Sequence, residues 1–565
     1  MSRLDRAWLG LALVVVLALA LRLTGIGWGL PAEGRYLSWN PDEGTFTTML
    51  YHMDPYRLNL NPGEFGVPSF TPYVLAGGLV VGKALGLVEV RPDKAYYVAH
   101  LEQWGRVFLT GRLISVLFAA LSIGVIYALI RRLYPQGPRG LPFLGAALLA
   151  IAPGHVAWSH YLSQNPLVTF WILVAFYFLA ALVEQPRARH YVLAGLCSGI
   201  AFSTNYNALM LFPLLPLAHV LAGPRCDGWR AWFAPRRLKW LLLAGLAALV
   251  GFVVVTPYAV LDFPTFWQRV AWVNDNLSGG LESMGLAETA RRLFLDVLPA
   301  IVGWGPYLLG LAGIVWTVVN RRRRRPAEWL GLAFLLLFTL AVSRSGHRLA
   351  VGRLLPMGVI GLLPAVGLVG ALWQRGHGDA ETEGRGDAET WGRTVRWGVA
   401  TLVLLAAVTA LVPALAVDAY FLQDTVRSDA SAWVQTHIPR GATIGTIAEP
   451  WYFTPDILGL DYFHPEATGG LYHYQVYLYN DDRLRDSPSD WIVVASQELG
   501  ARFEDSAEPT KAAFRDRLAS EYRWATWFTL AERLGWAGPV LESQPALLGS
   551  LWPAPDVWVY QRIAE

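Results

Sequence analysis

Charge is scarce in this chain. Asp, Glu, Lys and Arg make up 16% of its 565 residues, against about a quarter in ordinary soluble domains, which argues against a cytosolic globular enzyme. Neither sign dominates, and a formal net charge of +3 gives no sign of a nucleic-acid partner. Cysteine is nearly missing. Cys197 lies in an apolar run and Cys226 in a basic loop, which excludes a disulfide framework and offers no zinc spacing. The hydropathy also lacks the two-fold repeat that many secondary transporters show.

What is abundant is apolar. Hydrophobic residues are 54% of the chain, and 25 Trp, 23 Tyr and 24 Phe exclude disorder for most of it. The apolar residues come in runs of the length needed to cross a bilayer, about 20 residues. The fold class expected is a polytopic α-helical membrane protein.

Arginines set the expected topology. Arg3 and Arg6 precede an apolar run from Ala7 to Leu23. Ala18-Leu19-Ala20 resembles a signal-peptide cleavage site, but an uncut anchor serves the many later spans equally well. Basic residues favour the cytoplasmic side, placing the N-terminus inside and residues 25–105 outside. Further spans read as 107–130, 141–157, 166–184, 191–207, 208–222, 240–258, 296–319, 327–343, 354–373 and 398–418. Threading about eleven spans puts the clusters at Arg131–Arg139, Arg187–Arg189, Arg225–Lys239, Arg321–Arg325 and Arg375–Arg396 in the cytoplasm. Residues 1–418 then form a membrane domain, and residues 419–565 lie outside the cytoplasmic membrane.

Tyr73 to Val88 is apolar but short, with four glycines and Lys83. Counting it as a crossing would invert every later cluster, so it reads as a helix at the outer interface; a hairpin or re-entrant segment also fits the count. Gly77 to Lys83 matches the nucleotide-binding pattern GxxxxGK. Ala84 stands where Ser or Thr would hold magnesium, and no soluble strand precedes it, so the match is rejected. Residues 378–393 are an eight-residue tandem rich in Gly and charge, expected within a flexible cytoplasmic loop over 374–397. The last 147 residues change character: Ser428–His437 has helical spacing, and Ala442–Ala448, Asp490–Ala495 and Val557–Tyr560 read as strands. A small extracytoplasmic α/β domain is expected there.

Two outer clusters could carry chemistry. The first is Asn40-Pro41-Asp42-Glu43. Asn40 is a good helix N-cap, Pro41 suits the first helical position and Glu43 resembles a capping-box partner. The same residues also suit a general base that deprotonates an acceptor hydroxyl, and a capped helix is a rigid way to aim Asp42. The second is Arg344, His347, Arg348 and Arg353, which violate the positive-inside trend. Cations held on the outer side point to an anionic ligand such as phosphate; a miscounted helix would return them to the cytoplasm. Together the clusters describe a base that activates a hydroxyl and cations that stabilise a departing phosphate. With no nucleotide-sugar domain facing the cytosol, the expected donor is a sugar on a polyprenyl phosphate or diphosphate that reaches the site through the bilayer, with the outer acceptor left open between protein, lipid and glycan.

These residues fall in blocks that resemble the lipid-carrier-dependent GT-C glycosyltransferases around family 39, relatives of protein O-mannosyltransferases and aminoarabinose transferases. Gly27-Trp-Gly-Leu-Pro31 looks like the end of the family's first helix, and Asn40-Pro-Asp-Glu43 like its acidic signature, with Asn40 in place of His. Gly111-Arg-Leu-Ile-Ser115, Thr256-Pro-Tyr258 and Arg353-Leu-Leu-Pro356 match later blocks, in the family's order. The resemblance implies interfacial helices in the first outer loop, Asp42 as catalytic base with Glu43 beside it, and inversion at the sugar. Two positions depart from it: Asn165 follows Ser159-His160-Tyr161 where relatives often carry Asp, and Asn205 stands where they often carry Lys.

Other residues keep two readings. His155, His160 and Asn165 mark an edge of the site; the histidines are either interfacial packing or, with Asp42 or Glu43, ligands of a divalent metal that no spacing demands. Lys83 either reaches a lipid phosphate or snorkels to the headgroups. Arg112 is an anchor or a site residue. The rival to a transferase is a transporter or non-catalytic subunit that binds lipid-linked sugar or polysaccharide.

Overall fold

A membrane span must satisfy its backbone internally, so helices are the expected spanning elements, and helices build nearly all of the computed structural model. It describes residues 3–32, 36–223, 235–278, 286–320, 325–342, 349–382, 387–446, 455, 475–478, 488–496, 516–551 and 556–563. In chain order they are α1 (Arg3–Leu23), α2 (Pro41–His52), α3 (Phe70–Ala84), α4 (Lys94–Ala99), α5 (Leu101–Leu133), α6 (Leu141–Ala150), α7 (Pro153–Ser159), α8 (Gln164–Glu184) and α9 (Ala188–Thr204). Then follow α10 (Leu214–Leu221), α11 (Pro235–Val255), α12 (Tyr258–Leu261), α13 (Phe263–Ser278), α14 (Leu286–Arg291), α15 (Leu298–Val302) and α16 (Trp304–Val319). Next come α17 (Glu328–Val342), α18 (Val351–Thr382), α19 (Asp387–Phe421) and α20 (Val426–His437), and among the described residues three short helices, α21 (Leu530–Leu534), α22 (Ala537–Glu542) and α23 (Pro545–Leu548), follow. Helical segments occupy all eleven expected spans. Among the described residues five helices are long and apolar enough to cross alone, and two bent pairs bring the number to seven.

One bent pair explains itself in the sequence. Pro153 opens α7 after α6 ends, and the two meet at 55°, which frees carbonyls at the end of α6. Arg22, fully buried on α1, supplies the donors: Nη1 to Ala150 O at 2.9 Å and Nη2 to Leu149 O at 3.2 Å. A glycine fixes the turn that follows α1. Gly25 has φ +71°, and a Cβ there would run into the backbone of Phe421 at the end of α19, which locks the two helix ends together.

Burial separates centre from rim. The apolar stretch of α18 is 89% buried and that of α11 17%, so α18 is the central helix and α11 faces the surroundings. α11 packs on α9 through small residues: Gly195 and Gly199 lie against the backbone of Ala244 and Ala248, the close approach that holds helices together in lipid.

The C-terminal sheet has the order β2-β1-β3-β5-β4, from β1 (Thr443–Thr446), β2 (Gln475–Leu478), β3 (Trp491–Ala495), β4 (Tyr522–Phe528) and β5 (Val557–Arg562). β2, β1 and β3 run parallel, while β5 is antiparallel to both β3 and β4. Ile444, Val493, Val557 and Val559 belong to the same apolar cluster as the spans, so one face of the sheet is continuous with the helical core.

One local reading holds and one meets a different structure. Gly77 to Lys83 lies wholly inside α3, so the GxxxxGK pattern forms no phosphate-cradling loop. The expected flexible loop over 374–397 is helical on both sides: α18 runs on to Thr382 and α19 starts at Asp387, with 383–386 outside the described residues. Ala and Glu in each repeat are strong helix formers, and they extend the two spans beyond their apolar stretches.

Candidate active site

The sequence Asn40-Pro-Asp-Glu starts α2 as a capped helix. Asn40 Oδ1 accepts from the Asp42 amide at 2.9 Å and Pro41 takes the first turn. The cap then sends the two carboxylates to different places. Glu43 is fully buried and meets Arg112 of α5 in a two-pronged pair, Nε to Oε1 and Nη2 to Oε2 both 2.8 Å. Its Oε1 also accepts from the Leu162 amide at 2.7 Å. Arg112 spends Nη1 on Ile26 O and Trp28 O at 2.9 and 2.5 Å. Arg112 is therefore the anchor that ties α2, the α1 turn and the segment after α7 into one unit, and both Glu43 oxygens are occupied.

Asp42 is left open. It is exposed by area although protein surrounds it on most sides, as for a group on the wall of a recess. That surrounding protein raises its carboxyl pKa above the ordinary carboxylate value, Arg353 pulls it back down, and the Glu43 charge pushes it up again. Arg353 is thus within electrostatic reach of Asp42 although 311 positions separate them in sequence. It is also the one exposed residue among the first twenty of central α18, in the helix's first turn, where the dipole favours an anion. Arg344, His347 and Arg348 lie outside the described residues.

Asn165 and Asn207 hold the Arg353 end. A Cβ on Gly352 would come within 2.6 Å of Asn165 Nδ2 and collide with the Trp158 ring, so Asn165 packs against the residue before Arg353. Its Oδ1 is buried with no hydrogen-bond partner among the described residues. Asn207 Nδ2 reaches Arg353 O at 3.5 Å, and Asn205 caps that segment, its Oδ1 accepting from the Asn207 amide at 3.0 Å. Sequence reading missed Asn207. The signal available was its place two residues after Asn205 in the block Ser-Thr-Asn-Tyr-Asn207.

Other expected site residues lie elsewhere. His155 Nδ1 accepts from Arg22 at 3.0 Å, while both ring nitrogens of His160 face carbonyls, Val156 O at 2.9 Å and Thr24 O at 2.8 Å. Both histidines are buried in packing around the α6–α7 bend. Among the described residues no group of three or more His, Cys, Asp or Glu gathers as a metal site. Lys83 is exposed in the last turn of α3, with Nζ 3.5 Å from Val90 O and exposed Val80, Val81 and Leu85 around it. The structure does not bring it to Asp42 or Arg353.

An apolar cavity of about 730 Å³ lies between α10, α15, α16, α17 and α18. Met357, Gly358 and Gly361 line it from α18, starting one helical turn past Arg353.

Comparison with known proteins agrees with this architecture. Residues 103–259 match a family described as dolichyl-phosphate-mannose-protein mannosyltransferase. An undecaprenyl phosphate-alpha-4-amino-4-deoxy-L-arabinose arabinosyl transferase of Pectobacterium atrosepticum is 24% identical over 361 residues, covering 61% of this chain and 57% of the relative. The protein of that name from Pseudomonas aeruginosa is 34% identical over 302 residues, covering 50% of this chain and 52% of the relative. The chain thus spans about half the length of the relatives it matches. Among solved structures, the oligosaccharyltransferase of Archaeoglobus fulgidus aligns with a TM-score of 0.52 at 12% identity, covering 100% of this chain and 90% of that one. With fold and matched segment pointing the same way, this multi-pass membrane protein shares its fold with the oligosaccharyltransferase and is similar in sequence to lipid-carrier-dependent glycosyltransferases over part of its length.

Proposed function

We propose that the protein is a membrane glycosyltransferase that moves a sugar from a polyprenyl-phosphate-linked donor to an acceptor outside the cytoplasmic membrane. The observation that carries this reading is Asp42, open and in electrostatic reach of Arg353, with a large apolar cavity starting one turn beyond. Asp42 takes the proton of the acceptor hydroxyl as its oxygen bonds to the anomeric carbon. The bond from that carbon to the phosphate oxygen breaks, and its electron pair leaves with the phosphate. Arg353 and the first turn of α18 stabilise the charge that grows there. The cavity holds part of the polyprenyl chain. In-line displacement at one face of the sugar gives inversion, as the family resemblance implies. The names of the relatives support a pentosyl donor on undecaprenyl phosphate.

The reading includes eleven spans, a cytoplasmic N-terminus, and the α2–α4 loop and the C-terminal sheet domain of residues 419–565 on the outside. The basic clusters at the opposite helix ends support it. Arg344, His347 and Arg348, close in sequence to Arg353, belong to the same phosphate site in this proposal. The test is purified Asp42→Asn incubated with polyprenyl-phosphate sugar and acceptor. Transfer at the parent rate overturns the assignment; donor binding without sugar release in the parent favours a non-catalytic carrier subunit.

A further inference from the structure

We infer that the groove between α9, α10 and α11 is a binding site for an anionic phospholipid, separate from the donor cavity. The groove measures about 510 Å³ and is lined by apolar side chains, among them Phe202, Leu215, Leu241, Leu249 and Phe252, and by Gly245. It opens on the poorly buried side of the helical core, along α11.

Charge selects the occupant. Between residues 185 and 261 the sequence has Arg187, Arg189, Arg225, Arg230, Arg236, Arg237 and Lys239 against a single carboxylate, Asp227. Helix direction then gathers the cations. The pairing of Gly195 with Ala244 and of Gly199 with Ala248 makes α9 and α11 parallel. Arg237 Nη2 donates to His219 O at 3.3 Å, so the last turn of α10 meets the first turn of α11. The basic starts of α9 and α11 and the end of α10 therefore share one end of the groove. Arg237 Nη1 is buried there with no hydrogen-bond partner among the described residues.

Length fits a lipid of one leaflet. Leu241, the first groove residue on α11, lies one turn past Arg237, and Phe252 lies eleven residues further. At 1.5 Å per residue that is about 16 Å, half of a hydrocarbon core of about 30 Å. A phosphate at Arg237 and Lys239 thus lays one acyl chain along the groove towards Phe252, near the far end of α11. Basic pockets between spans are a recognised form of lipid headgroup site. At its far end the lipid would brace Phe202 and Phe212, which flank the segment carrying Asn207.

The test uses the purified full-length chain and native mass spectrometry. Phosphatidylglycerol and phosphatidylcholine with identical acyl chains are the probes. The parent retains phosphatidylglycerol over phosphatidylcholine, and Arg237→Gln with Lys239→Gln erodes that preference by about fivefold per cation removed. Gly245→Leu fills the groove and loses both lipids. A Cβ at Gly245 meets nothing within 4 Å, so this variant keeps its fold, which its thermal unfolding checks. Equal retention of the two lipids by the parent overturns the inference, as does unchanged phosphatidylglycerol retention in Gly245→Leu. Displacement of phosphatidylglycerol by stoichiometric polyprenyl phosphate also overturns it, since the groove would then belong to the donor lipid.

Discussion

Glu43 closes both of its oxygens on Arg112 at 2.8 Å, while Asp42, one residue earlier on the same helix, stays open towards Arg353. Adjacent positions on a helix point about 100° apart, so one carboxylate can be sealed in protein while its neighbour meets substrate. The capped first turn of α2 makes that division rigid.

The two acids should therefore fail in different ways on substitution. Glu43→Gln leaves the Arg112 guanidinium buried without its counter-charge, a change that costs about 3–5 kcal/mol. It should lower the midpoint of thermal unfolding strongly and lose activity with the fold. Asp42→Asn should leave the midpoint near the parent value and cut turnover by about 10² to 10⁴. Measured side by side, equal thermal losses in the two variants would contradict the division of labour.

The pH profile carries the same geometry. A base must be ionised to work, and burial raises the Asp42 carboxyl pKa while Arg353 lowers it. Turnover should rise with pH through a value above the ordinary carboxylate range. Arg353→Gln removes the downward pull, so the acid limb should move to still higher pH. For stability the sign is opposite to that of a salt-bridged acid. A raised folded-state pKa favours the protonated form, so this group's contribution is most favourable below the unfolded value and is lost as pH climbs through the folded one. An acid limb that stays put in Arg353→Gln would mean the two groups do not interact.

Much of this was readable from residues alone. Apolar runs marked helices in all eleven segments, because a span must be long and uncharged. The cap at Asn40 was legible since capping is local chemistry. Three of the five strands were visible in their apolar runs, whereas β4 was not. Its residues, Tyr522–Phe528, carry two exposed tryptophans and an arginine, so it lacks the buried pattern that strand reading relies on. Arg112 was ambiguous because nothing local says whether a buried arginine meets a protein carboxylate or a ligand. The histidines kept two readings for the same reason: Arg22, more than 130 positions away, decides what His155 faces. Long-range pairing has no signature in a single sequence.

Arg22 offers a test of that long-range pairing. Its guanidinium satisfies two carbonyls freed by the α6–α7 bend and meets His155. Arg22→Ala should leave Ala150 O unpaired in a dry interior, at a cost of about 1–3 kcal/mol, while Leu149 O keeps the Ala152 amide at 3.4 Å. Arg22→Lys has one charged centre in place of a fork and should recover only part of the loss. Thermal unfolding in detergent measures both. A neutral Arg22→Ala would show that the bend is held by packing alone.

Gly352 gives a test aimed at the site without touching a charged group. A Cβ there collides with the Trp158 ring and comes within 2.6 Å of Asn165 Nδ2. Neither neighbour has room to retreat, since both are buried. Gly352→Ala should therefore push the first turn of α18 outward, at an overpacking cost of about 1–3 kcal/mol, and carry Arg353 away from Asp42. The expected result is a large fall in turnover with a modest fall in unfolding midpoint, and an acid limb displaced in the same direction as in Arg353→Gln. Trp158→Ala in the same chain removes the Cδ2 and Cε2 carbons that the new methyl meets and should restore part of the turnover. If the double variant is no better than Gly352→Ala, the collision with Trp158 is not what displaces Arg353.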